Sequence, residues 1–153
     1  MEQETGLPKL LIVYYSKSGN TKMMAEAIAQ GAKDFGQVDV ILKDVKDATN
    51  EDLMEADCIV LGSPTYFRLP AWQLKRFIDE SIEIYEKLKT KKGAMFSSAG
   101  DEDSGAYCIE ALKNVLEEHG IKVIGDGLLI EEDPTEEEIE KCKEFGSMIA
   151  EQL

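Results

Sequence analysis

The sequence predicts an α/β fold, a single doubly wound parallel sheet of five strands with helices on both faces. Three observations lead to this prediction. Five short apolar runs are compatible with strands buried in a parallel sheet. Segments with a helical spacing of apolar residues separate these runs. The two kinds of segment alternate along nearly the whole chain of 153 residues, and this alternation packs each crossover helix against the sheet.

The five predicted strands follow one another at intervals that leave room for a helix between most of them. They are KLLIVYY (9–15), VDVILKDV (38–45), DCIVLG (57–62), GAMFS (93–97) and DGLLIE (126–131). No insertion divides the last of them.

Helical periodicity is clearest in the segments 20–35 and 104–119. The apolar stripe of the first segment consists of Met24, Ile28, Ala32 and Phe35. The stripe of the second segment consists of Ile109, Leu112 and Leu116. Both stripes have the spacing of one helix face and predict helices that pack on the sheet.

Three further helices complete the predicted alternation. The segment TNEDLMEA (49–56) gives little more than two turns, and a third helix starts at Trp72, after Pro70. The final helix follows Thr135, whose spacing from Glu138 predicts a capping box. Its predicted inner face consists of Ile139, Cys142, Gly146, Ile149 and Leu153.

Length and composition predict one domain that spans residues 1–153, with residues 1–7 as a flexible tail. A hydrophobic content of 43% in a chain of this length is enough for one core and too little for two ordinary domains. We see no internal repeat and no linker. The acidic run 131–140 is interpreted as the solvated first turn of the last helix.

The charge balance excludes several classes of partner. Lys and Arg number 17 and Asp and Glu number 31, which gives a net charge of −14. Such a chain repels nucleic acid and anionic membranes. No apolar run approaches the roughly 18 residues of a membrane span, and the N-terminus lacks the features of a signal peptide. We therefore expect a cytoplasmic protein that binds no nucleic acid and inserts into no membrane.

Cysteine and histidine give no sign of a metal site. Cys58, Cys108 and Cys142 lie far apart and lack the close pairs of zinc sites, so we interpret them as buried apolar residues. The lone histidine, His119, precedes Gly120 at a predicted helix end, where a partly positive imidazole would complement the helix dipole. We expect no metal ligands and no catalytic histidine.

The loops after strands 1, 3 and 4 are the predicted location of a ligand. Ligands of doubly wound sheets bind outside the carboxyl ends of the strands. The three loops are SKSGNT (16–21), SPTYFRLPAW (63–72) and SSAGDEDSGAY (97–107). All three are rich in small polar residues, glycine or proline at places where a plain connection needs only a turn.

The first of these loops is predicted to bind a phosphate group. Its hydroxyl and amide side chains are those of Ser16, Ser18, Asn20 and Thr21. Gly19 allows a close approach of the backbone, and the following helix directs free N–H groups at the same place. Lys17 faces either solvent or the phosphate. The alternative interpretation is that Ser18 or Asn20 merely caps the helix.

Other phosphate-binding motifs are missing from the sequence. It contains neither G-x-x-x-x-G-K-[ST] nor G-x-G-x-x-G, the fingerprints of nucleoside-triphosphatases and of Rossmann dinucleotide sites. A response regulator would have acidic residues after strand 1 and an aspartate at the end of strand 3. The chain has Ser16 and Gly62–Ser63 at these places.

The motifs SKSGNT, ADCIVLGSPTY (56–66) and SSAGD (97–101) together resemble flavodoxins and flavodoxin-like FMN reductases. The resemblance covers nearly all of residues 8–152. It implies a sheet of strand order 2-1-3-4-5 and an FMN cofactor whose phosphate lies on 16–21. It also implies that the isoalloxazine ring lies between 63–68 and 97–101, and that the chain is of the short-chain type.

The residues of the second loop suit a flat ring. Pro64 restrains the loop, while Thr65, Tyr66 and Phe67 offer backbone amides at the N5 edge of the flavin and an aromatic body for stacking. Arg68 is open to three interpretations: contact with the O2 or O4 edge, contact with a substrate phosphate, or a solvated loop residue.

The third loop is predicted to contact the pyrimidine edge of the flavin. Ser97, Ser98, Ala99 and Gly100 are small enough for their main-chain N–H groups to reach that edge. Asp101 lies close enough to influence its charge, and with Glu102 and Asp103 would lower the potential for full reduction. The alternative is that these carboxylates only cap the next helix.

Three functions follow from these patterns and remain open at this point. The first is an electron carrier that serves redox partner proteins. The second is an NAD(P)H-dependent oxidoreductase of quinones or flavins, because one ring face lacks the aromatic cover that carriers of this family have. The third is a cofactor-free binding module. The roles of Trp72 and Tyr107, the electron donor and acceptor, and the oligomeric state are not predicted. FMN is expected rather than FAD, since only one phosphate cradle is visible.

Overall fold

A computed structural model describes residues 6–153 of the chain. Most of the predicted tail 1–7 lies outside the described residues. The strands are β1 (Lys9–Tyr14), β2 (Asp39–Asp44), β3 (Cys58–Tyr66), β4 (Leu69–Pro70), β5 (Lys92–Ala99), β6 (Lys122–Val123) and β7 (Leu128–Glu131). The helices are α1 (Asn20–Phe35), α2 (Asn50–Glu55), α3 (Trp72–Glu80), α4 (Glu102–Glu118) and α5 (Glu136–Glu151).

The sheet has the order β2-β1-β3-β5, with β6 and β7 both beside β5. All of these pairs are parallel. Strand β4 is antiparallel, and it pairs with the end of β3 as a short hairpin. The predicted strand order and the predicted parallel sheet are therefore confirmed.

Helices cover both faces of the sheet, as predicted. Along β1, the side chains of Leu10, Ile12 and Tyr14 pack with α1 and α5 on one face. Leu11 and Val13 point to the other face, where α2, α3 and α4 lie. This alternation is the two-residue period of a strand that is buried on both sides.

The last strand differs from the prediction. Its position in the sheet is filled by β6 and β7, with residues 124–127 between them. Gly125 and Gly127 have φ angles of 71° and 86° there, a left-handed conformation that glycine adopts without a steric penalty. The predicted strand 126–131 therefore starts two residues later, at Leu128, and β6, which was not predicted, fills the rest of its place beside β5.

Helix starts follow the predicted caps closely. Thr135 and Glu138 form the predicted capping box at α5, and Thr49 with Asp52 forms another at the weakly predicted α2. The predicted stripe of α1 is wrong at Phe35, the last residue of the helix, which is 43% exposed. The next residue, Gly36, already turns the chain toward β2.

The cysteines and the histidine have structural surroundings. All three cysteines are free and buried, and burial raises the pKa of Cys58 and of Cys142 to about 12. His119 ends α4 as predicted, but burial lowers its pKa, so the expectation of a partly positive imidazole is wrong. Among residues 6–153, no helix has the length and apolar character of a membrane span.

Candidate functional site

The loop between β1 and α1 has an unusual cap. Gly19 is the N-cap residue, with φ 104° and no side chain that could cap the helix. Ser16 takes that role instead, because its Oγ accepts from the amides of Gly19 and Lys22, both at 3.2 Å. Neither Ser18 nor Asn20 caps the helix. The alternative interpretation of this loop as a plain cap is therefore wrong for these two residues.

This arrangement leaves several amides of the loop free. The N–H groups of Lys17, Ser18, Asn20 and Thr21 have no hydrogen-bond partner among the described residues. They lie at the positive end of the helix dipole of α1. Free amides at a helix N-terminus next to a glycine form a site for an anionic group such as phosphate.

Two further side chains of the loop have hydrogen-bond partners within the protein. The hydroxyl of Thr21 is buried and lies 2.7 Å from Ser98 Oγ. The side-chain amide of Asn20 donates to Asp133 Oδ1 at 3.0 Å. Ser18 and Lys17 are exposed, and their side chains have no hydrogen bond within residues 6–153. The free donors of the cradle are therefore mainly backbone amides.

The second predicted loop is a tight hairpin. Strand β3 continues through Pro64 and Thr65 to Tyr66, and Tyr66 pairs with Leu69. The two residues between them, Phe67 and Arg68, have φ angles of 51° and 67°. Positive φ at both central positions is the geometry of a type I′ turn. The turn presents the exposed ring of Phe67, whose exposure is 98%.

The third predicted loop is shorter than expected. Ser97, Ser98 and Ala99 belong to β5, which pairs with β3 on one side and β7 on the other. Their backbone groups are therefore used in the sheet, and the prediction that N–H groups of Ser97 and Ser98 reach a ring edge is wrong. Only Gly100 and Asp101 separate β5 from α4. Their amides have no hydrogen-bond partner in the described part of the chain.

Asp101 caps helix α4. One of its carboxylate oxygens accepts from the amide of Ser104 at 2.8 Å, and this hydrogen bond lowers the pKa of Asp101. The capping interpretation of the acidic loop is thus confirmed for Asp101. Its carboxylate is ionised at neutral pH and lies next to the free amides at the end of β5.

Arg68 connects the hairpin with helix α4. Its guanidinium carbon lies 4.5 Å from the centre of the Tyr107 ring, the geometry of a cation–π contact. The guanidinium of Arg68 therefore covers one face of the Tyr107 ring. Trp72, at the start of α3, is 68% exposed and borders a cavity of about 550 Å³ on the side of Tyr15 and β2.

Hydrogen bonds between side chains bring the three segments together. Thr21 contacts Ser98, as described above, and Thr65 Oγ1 lies 2.8 Å from Ser97 Oγ. Ser63 was not among the predicted site residues, and its Oγ accepts from the amide of Ala71 at 2.8 Å. Asp133 was not predicted either, since nothing in the sequence links this residue to Asn20 across 113 positions.

The geometry fits a phosphate ester that carries a flat ring. The free amides of the first loop offer donors to an anion, and the hairpin and the Gly100–Asp101 segment offer further amides beside exposed aromatic surface. The free amides of Phe67 and Arg68 belong to this second set. Within residues 6–153, no group of three or more His, Cys, Asp or Glu side chains is arranged to hold a metal ion.

Comparisons with known proteins agree with this geometry. Residues 12–146 match the model of the family described as Flavodoxin. A flavodoxin of Aquifex aeolicus is 35% identical, over 94% of this chain and 85% of its own length. The structure of a flavodoxin from the domain Archaea is 34% identical, with a TM-score of 0.84 over 94% of this chain and 97% of its own. Flavodoxin 1 of Bacillus cereus is 30% identical, also with a TM-score of 0.84, over 95% and 99%. The chain belongs to the flavodoxin family.

Proposed function

We propose that this short-chain flavodoxin carries electrons between redox partners on an FMN held at the carboxyl edge of the sheet. The observation that carries the proposal is the group of free amides in 16–21. The N–H groups of Lys17, Ser18, Asn20 and Thr21 lie there without a partner in the described residues. A dianionic phosphate needs several such donors, each worth roughly 1.5–3 kcal/mol as a charge-assisted hydrogen bond.

The remaining contacts are assigned to the ring. When bound, FMN supplies the reversible one-electron and two-electron chemistry of the protein. The amides of Phe67, Arg68, Gly100 and Asp101 are proposed to orient the ring, and Tyr66 and Phe67 to cover it. Pro64 and Thr65 at the base of the hairpin, and Ser97, Ser98 and Ala99 in β5, support these contacts from below.

The proposed exchange partners are other redox proteins. With a net charge of −14, the chain attracts partners that present a basic surface. Its relatives named above are flavodoxins, and they do not favour the alternatives of an NAD(P)H-dependent oxidoreductase or a cofactor-free module. We also assign the protein to the cytoplasm, since its three free thiols are typical of a reducing compartment.

A titration of the apoprotein with FMN tests this proposal. The side chain of Ser18 is exposed and has no hydrogen bond within residues 6–153, so Ser18→Ala removes a ligand contact without disturbing the fold. We expect this variant to bind FMN more weakly by about 1–3 kcal/mol, because a donor to the phosphate is lost. Riboflavin, which lacks the phosphate, should bind the variant and the parent equally.

Ser147→Ala is the matched control, since Ser147 lies on α5 and its side chain has no hydrogen bond to any described residue. This variant should bind FMN as the parent does. A parent protein that takes up no FMN would refute the proposed function. Equal FMN affinity of the Ser18→Ala variant and the parent would remove Ser18 from the cradle.

A further inference from the structure

Two consecutive serines of β5 hold two different loops of the site. Ser97 and Ser98 are both buried. Successive residues of a strand point to opposite faces of the sheet. Ser97 therefore lies on the side of α4, where its Oγ is 3.5 Å from Cys108 Sγ. Ser98 lies on the side of α1, where it meets Thr21.

The hydrogen bonds of Ser97 have a fixed direction. Its Oγ lies 2.6 Å from the carbonyl oxygen of Ser63 and 3.2 Å from that of Ser98, and a carbonyl only accepts, so the single hydroxyl proton of Ser97 is donated to the nearer carbonyl, that of Ser63. At the contact with Thr65, the threonine must then be the donor. A chain of hydrogen bonds therefore runs from Thr65 through Ser97 to Ser63, and it attaches the base of the hairpin to β5.

Ser98 makes the corresponding attachment on the opposite face. Its hydroxyl lies 2.7 Å from Thr21 Oγ1 and has no other hydrogen bond among the described residues. Thr21 is the second residue of α1 and is only 1% exposed. Its own amide is one of the free donors of the cradle. The contact with Ser98 thus fixes the depth at which this amide lies above the sheet.

We propose that Ser97 and Ser98 are positioning residues with separate tasks. Ser97 holds the hairpin in place beside the flavin ring, and Ser98 holds the loop that binds the phosphate. The inference rests on the proposed function, because it concerns the two ends of a bound FMN. It extends that function, because the ring end and the phosphate end of the cofactor are each assigned a different residue, and these two residues are neighbours on one strand.

The test compares Ser97→Ala and Ser98→Ala by two spectroscopic signals of the FMN-loaded protein. The ³¹P resonance of the bound phosphate reports on the loop 16–21, and the visible absorption bands of the flavin report on the ring. Ser98→Ala should shift the ³¹P resonance and leave the absorption bands in place. Ser97→Ala should do the reverse. Each variant should weaken FMN binding about three- to tenfold, the usual effect of one neutral hydrogen bond.

Ser81→Ala is the matched control. Ser81 is equally buried, and its hydroxyl donates to the carbonyl of Ile78 at 2.5 Å and lies 2.8 Å from His119 Nε2, but it lies at the far end of α3. This variant loses the same kind of hydrogen bond and should change neither spectroscopic signal. Thr65→Val and Thr21→Val break the same two contacts from the other side with little change of shape. They replace the serine variants if either of those fails to fold. Thr65→Ser and Thr21→Ser keep the hydroxyl group and should therefore give the same signals as the parent.

The outcomes separate this inference from the proposed function. If the parent binds no FMN, the proposed function fails. If the parent binds FMN but both serine variants change the same signal, the separate tasks are refuted. The same holds if neither variant differs from Ser81→Ala.

Discussion

Ser16 determines how helix α1 begins. The residue at the N-cap position usually supplies the oxygen that accepts from the third helical amide, but Gly19 has no side chain. Ser16 accepts that amide from three positions earlier in the chain. The first two amides of the helix then remain free for a ligand. Capping and ligand binding are thus divided between different amides of one helix end.

His119 should make the folded state sensitive to mild acid. The hydroxyl of Ser81 donates to Ile78 O, so His119 Nε2 must donate to Ser81 Oγ at 2.8 Å. Nδ1 is then unprotonated, and it is buried without a partner within residues 6–153. Protonation would place an unpaired N–H and a charge in this position.

The pH dependence follows from the direction of the pKa shift. Burial lowers the pKa of His119 below its usual value of 6.5. The neutral form therefore stabilises the fold fully above that value, and this contribution is lost as the pH falls toward the lowered pKa. We expect the urea midpoint to drop between pH 7.5 and 5.5, and to drop less in His119→Asn. Parallel midpoints of parent and variant across this range would contradict the assignment.

At the scale of elements, helices α1 and α5 approach each other through two glycines. A Cβ atom added at Gly31 would lie 1.9 Å from the carbonyl oxygen of Lys143, and one at Gly146 would lie 1.9 Å from that of Ile28. The backbones are in direct contact at both places. No larger residue fits unless the helices separate.

We expect Gly146→Ala to destabilise the protein by about 1–3 kcal/mol, because the methyl group forces α5 away from α1. Chemical denaturation of the apoprotein measures the loss. Gly100→Ala is the matched control, since a Cβ there meets nothing within 4 Å and its φ is not positive. A Gly146→Ala variant as stable as the Gly100→Ala variant would show that the helices separate at no cost.

The sequence predicted elements better than it predicted their ends. Apolar runs and caps identified every major strand and helix, because burial and capping leave periodic and local signals. The last strand was predicted to start at Asp126 instead of Leu128, and β6 was not predicted, because residues 124–127 carry no local signal of leaving the sheet beyond two glycines. Ser98 was placed in a loop and Ser97 at the point where strand and loop meet, yet the hydroxyls of both pair with residues far away in sequence. Such pairing is a tertiary contact and leaves no local pattern.

At the scale of the whole molecule, the net charge of −14 should control the rate of electron exchange. We expect reduced, FMN-loaded protein to react with the cation hexaammineruthenium(III) at least about tenfold more slowly at 0.15 M than at about 0.01 M salt, because the Debye length shrinks from roughly 30 Å to 8 Å. Stopped-flow absorbance follows the reaction. With the anion ferricyanide the rate should rise with salt. Equal salt dependence for both acceptors would mean that the negative charge of the protein does not influence electron transfer at the flavin.

The hairpin turn at Phe67 and Arg68 makes the folded state less stable than another choice of turn residues would. A left-handed backbone costs a residue with a side chain roughly 1–2 kcal/mol relative to glycine, and two adjacent positions carry that cost. Phe67, almost fully exposed, contributes nothing to the core in exchange. An engineer who sought only a higher melting temperature would place Asn-Gly at this turn. A bulky ring and a guanidinium at this turn lower the free energy of unfolding, and in return the protein presents both groups on its surface.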